Sequence, residues 1–386
     1  MKNKQRMGSY IRFRTVDESY SAYVPKPLPP VPALAMEGLL TLLDKANLAL
    51  GRLDALGQAL PDASLFLYMY VRKEAVLSSQ IEGTQSSLSD LLEFEVTEVP
   101  GVPVDDVTEV SNYVAAMNHG LKRLAEDFPL SLRLLREIHE VLLSHGRGER
   151  QCPGEFRRSQ NWIGGTRPGN AAYVPPPPEQ MLECLSDLEK FIHDEKLPVL
   201  VKAALVHVQF ESIHPFLDGN GRLGRLLITL ILCAEGVLHA PLLYLSLYFK
   251  SHRKLYYDHL TLVRETGDWE EWITFFLKGV IQTANQAADA AKQITELFKT
   301  NEQKIRRLGK ASISILQLHA YLEKQAVSDT GKAVEATGLT LPTVIRSFNE
   351  LEKLGIVHET SGRQRRRMYV YSEYLNLLNQ GTEEKL

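Results

Sequence analysis

Cysteine is scarce in this chain. Cys152, Cys184 and Cys233 are its three, widely spaced and odd in number. That excludes a disulfide framework and a paired-cysteine metal site, and it fits a reducing compartment. Excess positive charge is missing too. The formal net charge is −3, so any nucleic-acid contact has to come from a local patch. Long apolar runs are also absent. The longest, Leu226 to Ala234, falls well short of the roughly 20 residues that span a bilayer and reads as a buried helix. Residues Met1 to Arg14 are polar and basic without an apolar stretch, which predicts no signal peptide and a cytoplasmic location. No internal repeat or low-complexity tract stands out.

What is present is the composition of a soluble globular protein, 44% hydrophobic and 24% charged. Its 386 residues allow two or three domains. Residues 1–34 read as an irregular lead-in that ends in the proline-rich stretch Pro25 to Pro32. Residues 35–106 read as an N-terminal helical segment, with Met36, Leu39, Leu40 and Leu43 at helical spacing and a further helix over Ser64 to Glu82. Two prolines make Val99 to Val104 a loop. Residues 107–300 form the helical core and the helices that follow it. The exception is the stretch 150–178, rich in glycine and proline, where Ser159 to Ile163 and Ala171 to Val174 are candidate strands of a β-hairpin flap. The class is therefore all-α.

Residues 301–386 have a different cadence. Helices are expected at Ile313–Lys324, Val327–Thr337 and Leu341–Leu354, with strands Ile356–His358 and Met368–Tyr371 joined by the turn Gly362 to Arg367. Three helices and a two-stranded wing resemble a winged helix-turn-helix. Arg363, Arg365, Arg366 and Arg367 suit a DNA backbone. On the expected recognition helix, however, Arg346 and Lys353 are balanced by Glu350 and Glu352. A protein-docking module remains the other reading.

The most informative stretch joins two apolar helices. His214-Pro215 stops the first, because proline disfavours helix at the residue before it. Asp218-Gly219-Asn220-Gly221 then forms a turn in which the glycines let backbone amides converge. The second helix starts at once, and its free N–H groups and dipole favour an anion. Arg222 and Arg225 sit one turn apart at this end, where cations cost about 0.3–1 kcal/mol each against the dipole. An anion held between them resolves the conflict, and a nucleotide polyphosphate fits. Asp218 is placed to hold an accompanying Mg²⁺. His214 is placed to take a proton from an attacking hydroxyl. The loop is not a Walker A sequence, since no Gly-Lys-Ser/Thr follows its glycines.

His214 to Arg225 resembles the signature of the Fic family, HPFx(D/E)GNGRxxR, at every fixed position. The resemblance covers about residues 107–245. It implies a protein adenylyltransferase, in which a Ser, Thr or Tyr hydroxyl attacks the α-phosphate of ATP and releases pyrophosphate. His214 would be the catalytic base and Asp218 the Mg²⁺ ligand. Gly219, Asn220, Gly221 and Arg222 would cradle the phosphates, with Leu223 and Gly224 continuing the motif into the helix. Arg225 would engage the terminal phosphate. The flap, about Ser159 to Val174, would dock the target by strand addition.

A second motif lies upstream. Ser78 and Glu82 are four apart on one helix face, Gly83 follows as a helix stop, and a glutamate in a last turn opposes the dipole. On local grounds this is a solvated surface residue. It also matches the family's inhibitory motif (S/T)xxxE(G/N), which implies that Glu82 pairs with Arg225 and misdirects ATP. The resemblance further suggests nucleotide contacts at Tyr256, Tyr257 and Tyr173, each equally readable as a packed aromatic. His207 and His239 lack the neighbours a metal site needs. Self-modification and homodimerisation go with the family. The competing expectation is a winged-helix transcription regulator whose core senses a nucleotide.

Overall fold

The computed structural model describes the chain apart from residues 1, 15–17, 60–62, 98–103, 310–311, 363–365 and 381–386. Residues 99–103 of the expected Val99–Val104 loop and part of the expected wing turn therefore lie outside the described residues, and Val104 opens a helix instead. No helix among the described residues is long and apolar enough to cross a membrane.

The lead-in is not irregular. Strands β1 (Ser9–Arg14) and β2 (Ser19–Val24) form an antiparallel hairpin, with Ser9 opposite Val24 and Arg14 opposite Ser19. The cause is period-two alternation in Ser-Tyr-Ile-Arg-Phe-Arg, which the prolines downstream obscure. Arg6 pins the hairpin's base, reaching Glu270 at 2.6 Å and the carbonyls of Pro32 and Ala33.

The helical body follows as α1 (Leu40–Ala59), α2 (Ala63–Ile81), α3 (Leu88–Thr97), α4 (Val104–Ala125), α5 (Leu132–Leu142), α6 (Pro178–Ile192), α7 (Val199–Ile213), α8 (Asn220–Ala234), α9 (Ser246–Ser251), α10 (Arg253–Thr266) and α11 (Trp269–Arg306). Helix α7 is the core. Every residue from Leu200 to Ile213 is buried, so its sequence is largely apolar without a solvent-facing polar stripe. Helix α8 packs along it, with α4, α6, α10 and α11 around the pair. Gly224 lets α8 approach closely, because a Cβ there would lie 2.6 Å from Glu211 Oε1 and 3.2 Å from the Phe210 ring.

Helix α11, about 57 Å long at 1.5 Å per residue, runs from the core to the C-terminal module. That module holds α12 (Ser312–Lys324), β3 (Val327–Asp329), α13 (Thr330–Thr337), α14 (Leu341–Lys353), β4 (His358–Glu359), β5 (Met368–Val370) and α15 (Ser372–Asn379). The helix expected over Val327–Thr337 begins three residues late, because β3 joins the sheet β3-β5-β4. The Asp329 carboxylate then caps α13. The module sits against α2, α3 and α11. Lys73 of α2 reaches the Gln380 carbonyl at 3.0 Å, and Asn301 of α11 reaches the Tyr371 hydroxyl at 2.8 Å.

Candidate active site

The motif loop is held by side chains on both of its flanks. Helix α7 ends at His214, whose backbone is left-handed (φ +50°). That conformation is uncommon for a residue with a Cβ, and proline at the next position supports the stop. The Asn220 side chain closes the loop from within: its Oδ1 accepts from the Phe216 N–H and its Nδ2 donates to the Phe216 carbonyl, both at 2.9 Å. Gly219 caps α8 with φ +75°. Arg157 ties the loop to the flap's base, donating from Nε to the His214 carbonyl at 2.9 Å and from Nη2 to the Pro176 carbonyl.

His139 of α5 supports the loop and was not singled out by sequence reasoning. Its Nδ1 accepts from Gly154 N–H at 2.9 Å, so Nε2 carries the proton and donates to the Asp218 carbonyl at 3.0 Å. Its ring stacks on Phe216 with centroids 3.7 Å apart. Burial holds its pKa down at about 4, which keeps the ring neutral and this tautomer intact.

The two arginines diverge. Arg222 turns toward α4, where Nη1 lies 3.0 Å from Glu109 Oε1, with Asp218 Oδ1 at 3.7 Å from Nη2. Arg225 turns toward α2. Its Nε donates to Ser78 Oγ at 2.9 Å, and its Nη2 donates to the Ser78 carbonyl at 3.0 Å and to Glu82 Oε1 at 2.7 Å. The anion expected between these cations is supplied by two carboxylates, Glu109 beside Arg222 and Glu82 beside Arg225. The Glu82 carboxylate lies so close over Gly221 that a Cβ there would collide with it. Burial works to raise the Glu82 pKa, but the Arg225 charge and hydrogen bond outweigh it and hold the group below its ordinary value. Glu109 goes the other way, raised by burial despite Arg222.

His214 faces the same space. Its Nδ1 is buried without a hydrogen-bond partner. Burial first, then the positive charge of Arg157, lowers its pKa to about 4. The imidazole is therefore neutral at pH 7 and able to accept a proton.

Together Glu82, Glu109, Arg147, His214, Leu217, Asp218, Gly219, Asn220, Gly221 and Arg222 line a cavity of about 120 Å³. Ligand pockets usually offer about 300–1,000 Å³, so the Glu82 carboxylate leaves little room. A larger cleft of about 610 Å³ lies among Leu121, Phe128, Ile192 and Ile231 at the opposite ends of α4 and α8. Size favours that cleft. Converging charge and the buried imidazole favour the smaller one.

Other expected site residues fall elsewhere. Leu223 is fully buried in the core, and Gly224 faces α7, its carbonyl accepting from His207 Nδ1. Tyr256 lies inside α10. It is buried, and its hydroxyl meets His207 Nε2 at 2.9 Å, which makes His207 a core residue. Tyr257 is partly exposed beside Arg253. Tyr173 donates to the Ser212 carbonyl and packs under Arg264, 3.9 Å from its ring centre. None of the three tyrosines lines the cavity. The flap lacks extended strands: its arms meet in a single bridge, Ile163 opposite Tyr173, leaving Trp162 and Ile163 exposed. The arms are short because Gly164, Gly165 and Pro168 break regular pairing.

Comparison with known proteins agrees with this geometry. Residues 40–122 match the Fic/DOC family N-terminal domain and residues 129–232 match the Fic/DOC family. It is similar to the Protein adenylyltransferase Fic of Culex quinquefasciatus, 32% identical over 241 residues, covering 60% of this chain and 44% of the relative. The protein of that name in Drosophila grimshawi is 28% identical over 277 residues, covering 69% and 53%. The chain thus spans about half the length of the curated relatives it matches. Among solved structures, a Fic family protein from Desulfovibrio desulfuricans G20 superposes with a TM-score of 0.57 at 22% identity, over 88% of this chain and 97% of that one. A Fic domain containing signaling protein from Bacteroides thetaiotaomicron gives 0.51 at 20% identity, over 64% and 97%. These two share the fold.

Proposed function

We propose that this chain is a self-inhibited protein adenylyltransferase that moves AMP from ATP to a Ser, Thr or Tyr hydroxyl of a protein. The observation that carries the reading is the Glu82 carboxylate seated on Arg225 over Gly221, an acidic stand-in where the loop is built for a phosphate. The name of the curated relatives, adenylyltransferase, supports ATP as the donor.

In this reading the loop amides and Arg222 hold the nucleotide's phosphates, and Arg225 takes the terminal one once Glu82 withdraws. The target oxygen forms a bond to the α-phosphorus, the bond to the β-phosphate oxygen breaks, and pyrophosphate leaves. His214 accepts the hydroxyl proton. A base with a pKa near 4 is weak, but the phosphate charge brought in by ATP raises it. Asp218 fits an accompanying Mg²⁺: it is a hard oxygen donor on the cavity wall, and Mg²⁺ is commonly held by one or two carboxylates plus substrate phosphates. That ion would supply charge neutralisation on the polyphosphate. The flap's exposed Trp162 and Ile163 present an edge for the target backbone.

We read residues 301–386 as a winged helix-turn-helix module, on the order α12-β3-α13-α14-β4-β5 and its three-stranded sheet. Lys353 on α14 is paired with Glu350 at 2.7 Å, so the charge on that helix does not favour the transcription-regulator reading.

The test is transfer of labelled AMP from ATP with Mg²⁺, followed by mass spectrometry of the protein itself and of proteins in a lysate. Glu82→Gly should transfer strongly, and Glu82→Gly combined with His214→Ala should not. Equal labelling by the two would remove the mechanism.

A further inference from the structure

The motif supplies one guanidinium to the cavity wall, Arg222, with Arg225 held behind Glu82, yet another arginine lines the cavity from outside the motif. Arg147 lies in the turn after α5, opposite the motif loop and beside Asp218 and Glu109. The turn is built to present it. Gly146 and Gly148 on either side are both left-handed, with φ of +76° and +94°, a conformation open to glycine and costly for other residues. Gly146 packs on Thr108 of α4. Gly148 packs on Asp218, whose Oδ2 would lie 2.9 Å from any Cβ there. Asn112, one turn beyond Glu109 on α4, pins the segment by donating to the His145 carbonyl at 2.7 Å. Asn112 Oδ1 in turn accepts from Ser144 Oγ at 3.4 Å.

The three guanidiniums are not equivalent. Arg222 and Arg225 are buried, and each already holds a carboxylate, Glu109 and Glu82 respectively. Arg147 is exposed and makes no ion pair or hydrogen bond among the described residues. A polyanion entering the cavity has to displace a pair to reach Arg225. It displaces only water to reach Arg147. The planar, permanently charged fork suits bidentate phosphate contact.

We propose that Arg147 is a nucleotide-binding residue that grips the β- and γ-phosphates at the cavity mouth, the part of ATP that departs as pyrophosphate. This rests on the adenylyltransferase reading and adds a phosphate contact from outside the motif. It gives the inhibited protein a foothold for ATP while Glu82 still occupies Arg225. It also makes the Gly-Arg-Gly turn a determinant of triphosphate over monophosphate binding.

Calorimetry on the full chain carrying Glu82→Gly and His214→Ala tests this, since that protein binds without turning over. Adding Arg147→Ala should weaken ATP about tenfold, as expected for loss of one exposed charge-assisted contact. AMP, which lacks the outer phosphates, should bind as before, and Arg147→Lys should recover part of the loss. Unchanged ATP affinity would overturn the assignment. So would equal weakening of ATP and AMP, which would mean that the turn only positions Asp218, or that the guanidinium stacks on the base. Labelled-AMP transfer by Glu82→Gly with Arg147 intact separates the two ideas. If transfer occurs and Arg147→Ala leaves ATP binding unchanged, only the Arg147 assignment falls. Absence of any ATP binding overturns both.

Discussion

Replacing Glu82 in graded steps measures how firmly the site is locked. Arg225 is 1% exposed at its side chain and Glu82 is 37% exposed. The pair therefore sits at the cavity edge and not in the dry interior, and the cost of about 3–5 kcal/mol for breaking a fully buried pair does not apply. A charge-assisted hydrogen bond at such an edge is worth about 1.5–3 kcal/mol. ATP has to recover that amount before its terminal phosphate can use Arg225. At about 1.4 kcal/mol per decade, Glu82→Gly should raise AMP transfer by roughly 10–100-fold. Glu82→Gln keeps a hydrogen-bonding oxygen and loses the charge, so it should rise by less. Ser78→Ala removes one contact to Arg225 Nε and leaves the carboxylate in place, so transfer should change by no more than about fivefold, since one hydrogen bond is worth about 1 kcal/mol net.

The same series has a stability signature. Without Glu82 the buried guanidinium keeps its Ser78 contacts but loses its counter-ion, and the protein should be destabilised by about 1–3 kcal/mol. ATP restores an anion to that place, so the melting-temperature gap should narrow as ATP is added. The assay is initial-rate transfer of radiolabelled AMP at saturating ATP, paired with thermal melts at several ATP concentrations. If Glu82→Gly and Glu82→Gln both transferred no faster than the unaltered protein while still binding ATP, Arg225 would not be the locked element.

His139 should matter as a support of the loop. In the Glu82→Gly background, His139→Ala should lower transfer at least about tenfold and cost about 2–4 kcal/mol of stability, because two buried hydrogen bonds and the Phe216 stack are lost together. Chemical denaturation and transfer rates read the two effects, and retention of both would refute the support role. Because the His214 pKa lies near 4 in the nucleotide-free protein, kcat/KM for ATP in the Glu82→Gly protein, which reports the free enzyme, should not show an ordinary imidazole titration between pH 6 and 7. Removing the Glu82 charge, which raises that pKa, moves the titration lower still. For stability, His139, His207 and His214 all have folded pKa values below the 6.5 of a free imidazole. The unfolded chain then takes up protons first, and stability falls as pH drops from about 6.5 toward 4. Glu74 and Glu211, raised by burial to about 7, and Glu109, raised in the same direction, oppose this below pH 7 and make the slope shallower than the imidazoles alone would give. A melting temperature that rose on acidification to pH 5 would contradict this.

Several elements were legible in the sequence because their physics is local. The stop at His214-Pro215, the glycines of the turn and the apolar start of α8 each act on their own few residues. The anion-binding loop therefore follows from twelve consecutive side chains. The end of α2 at Ile81 and the left-handed Gly83 are local in the same sense. The N-terminal hairpin was equally local, and its alternation over Ser9 to Arg14 was readable but overshadowed by the prolines that follow. The flap was overread: four- and five-residue runs suggested strands, and the glycines between them permit only one bridge.

Which partners the loop meets was decided by tertiary packing. Glu82 follows directly on α2, Glu109 belongs to α4, His139 to α5 and Arg147 to the turn after it. Nothing in a 3.6-residue period tells a side chain on one helix which distant side chain it will face. Along the chain Arg222 and Arg225 sit one turn apart and share an expected anion, whereas the folded chain sends Arg222 to α4 and Arg225 to α2. Backbone conformation is set by sterics and hydrogen bonds within a few residues, and so it can be read along the chain. Burial, charge pairing and the depressed pKa of His214 depend on surfaces contributed by segments far apart in sequence, and they exist only once those segments have packed.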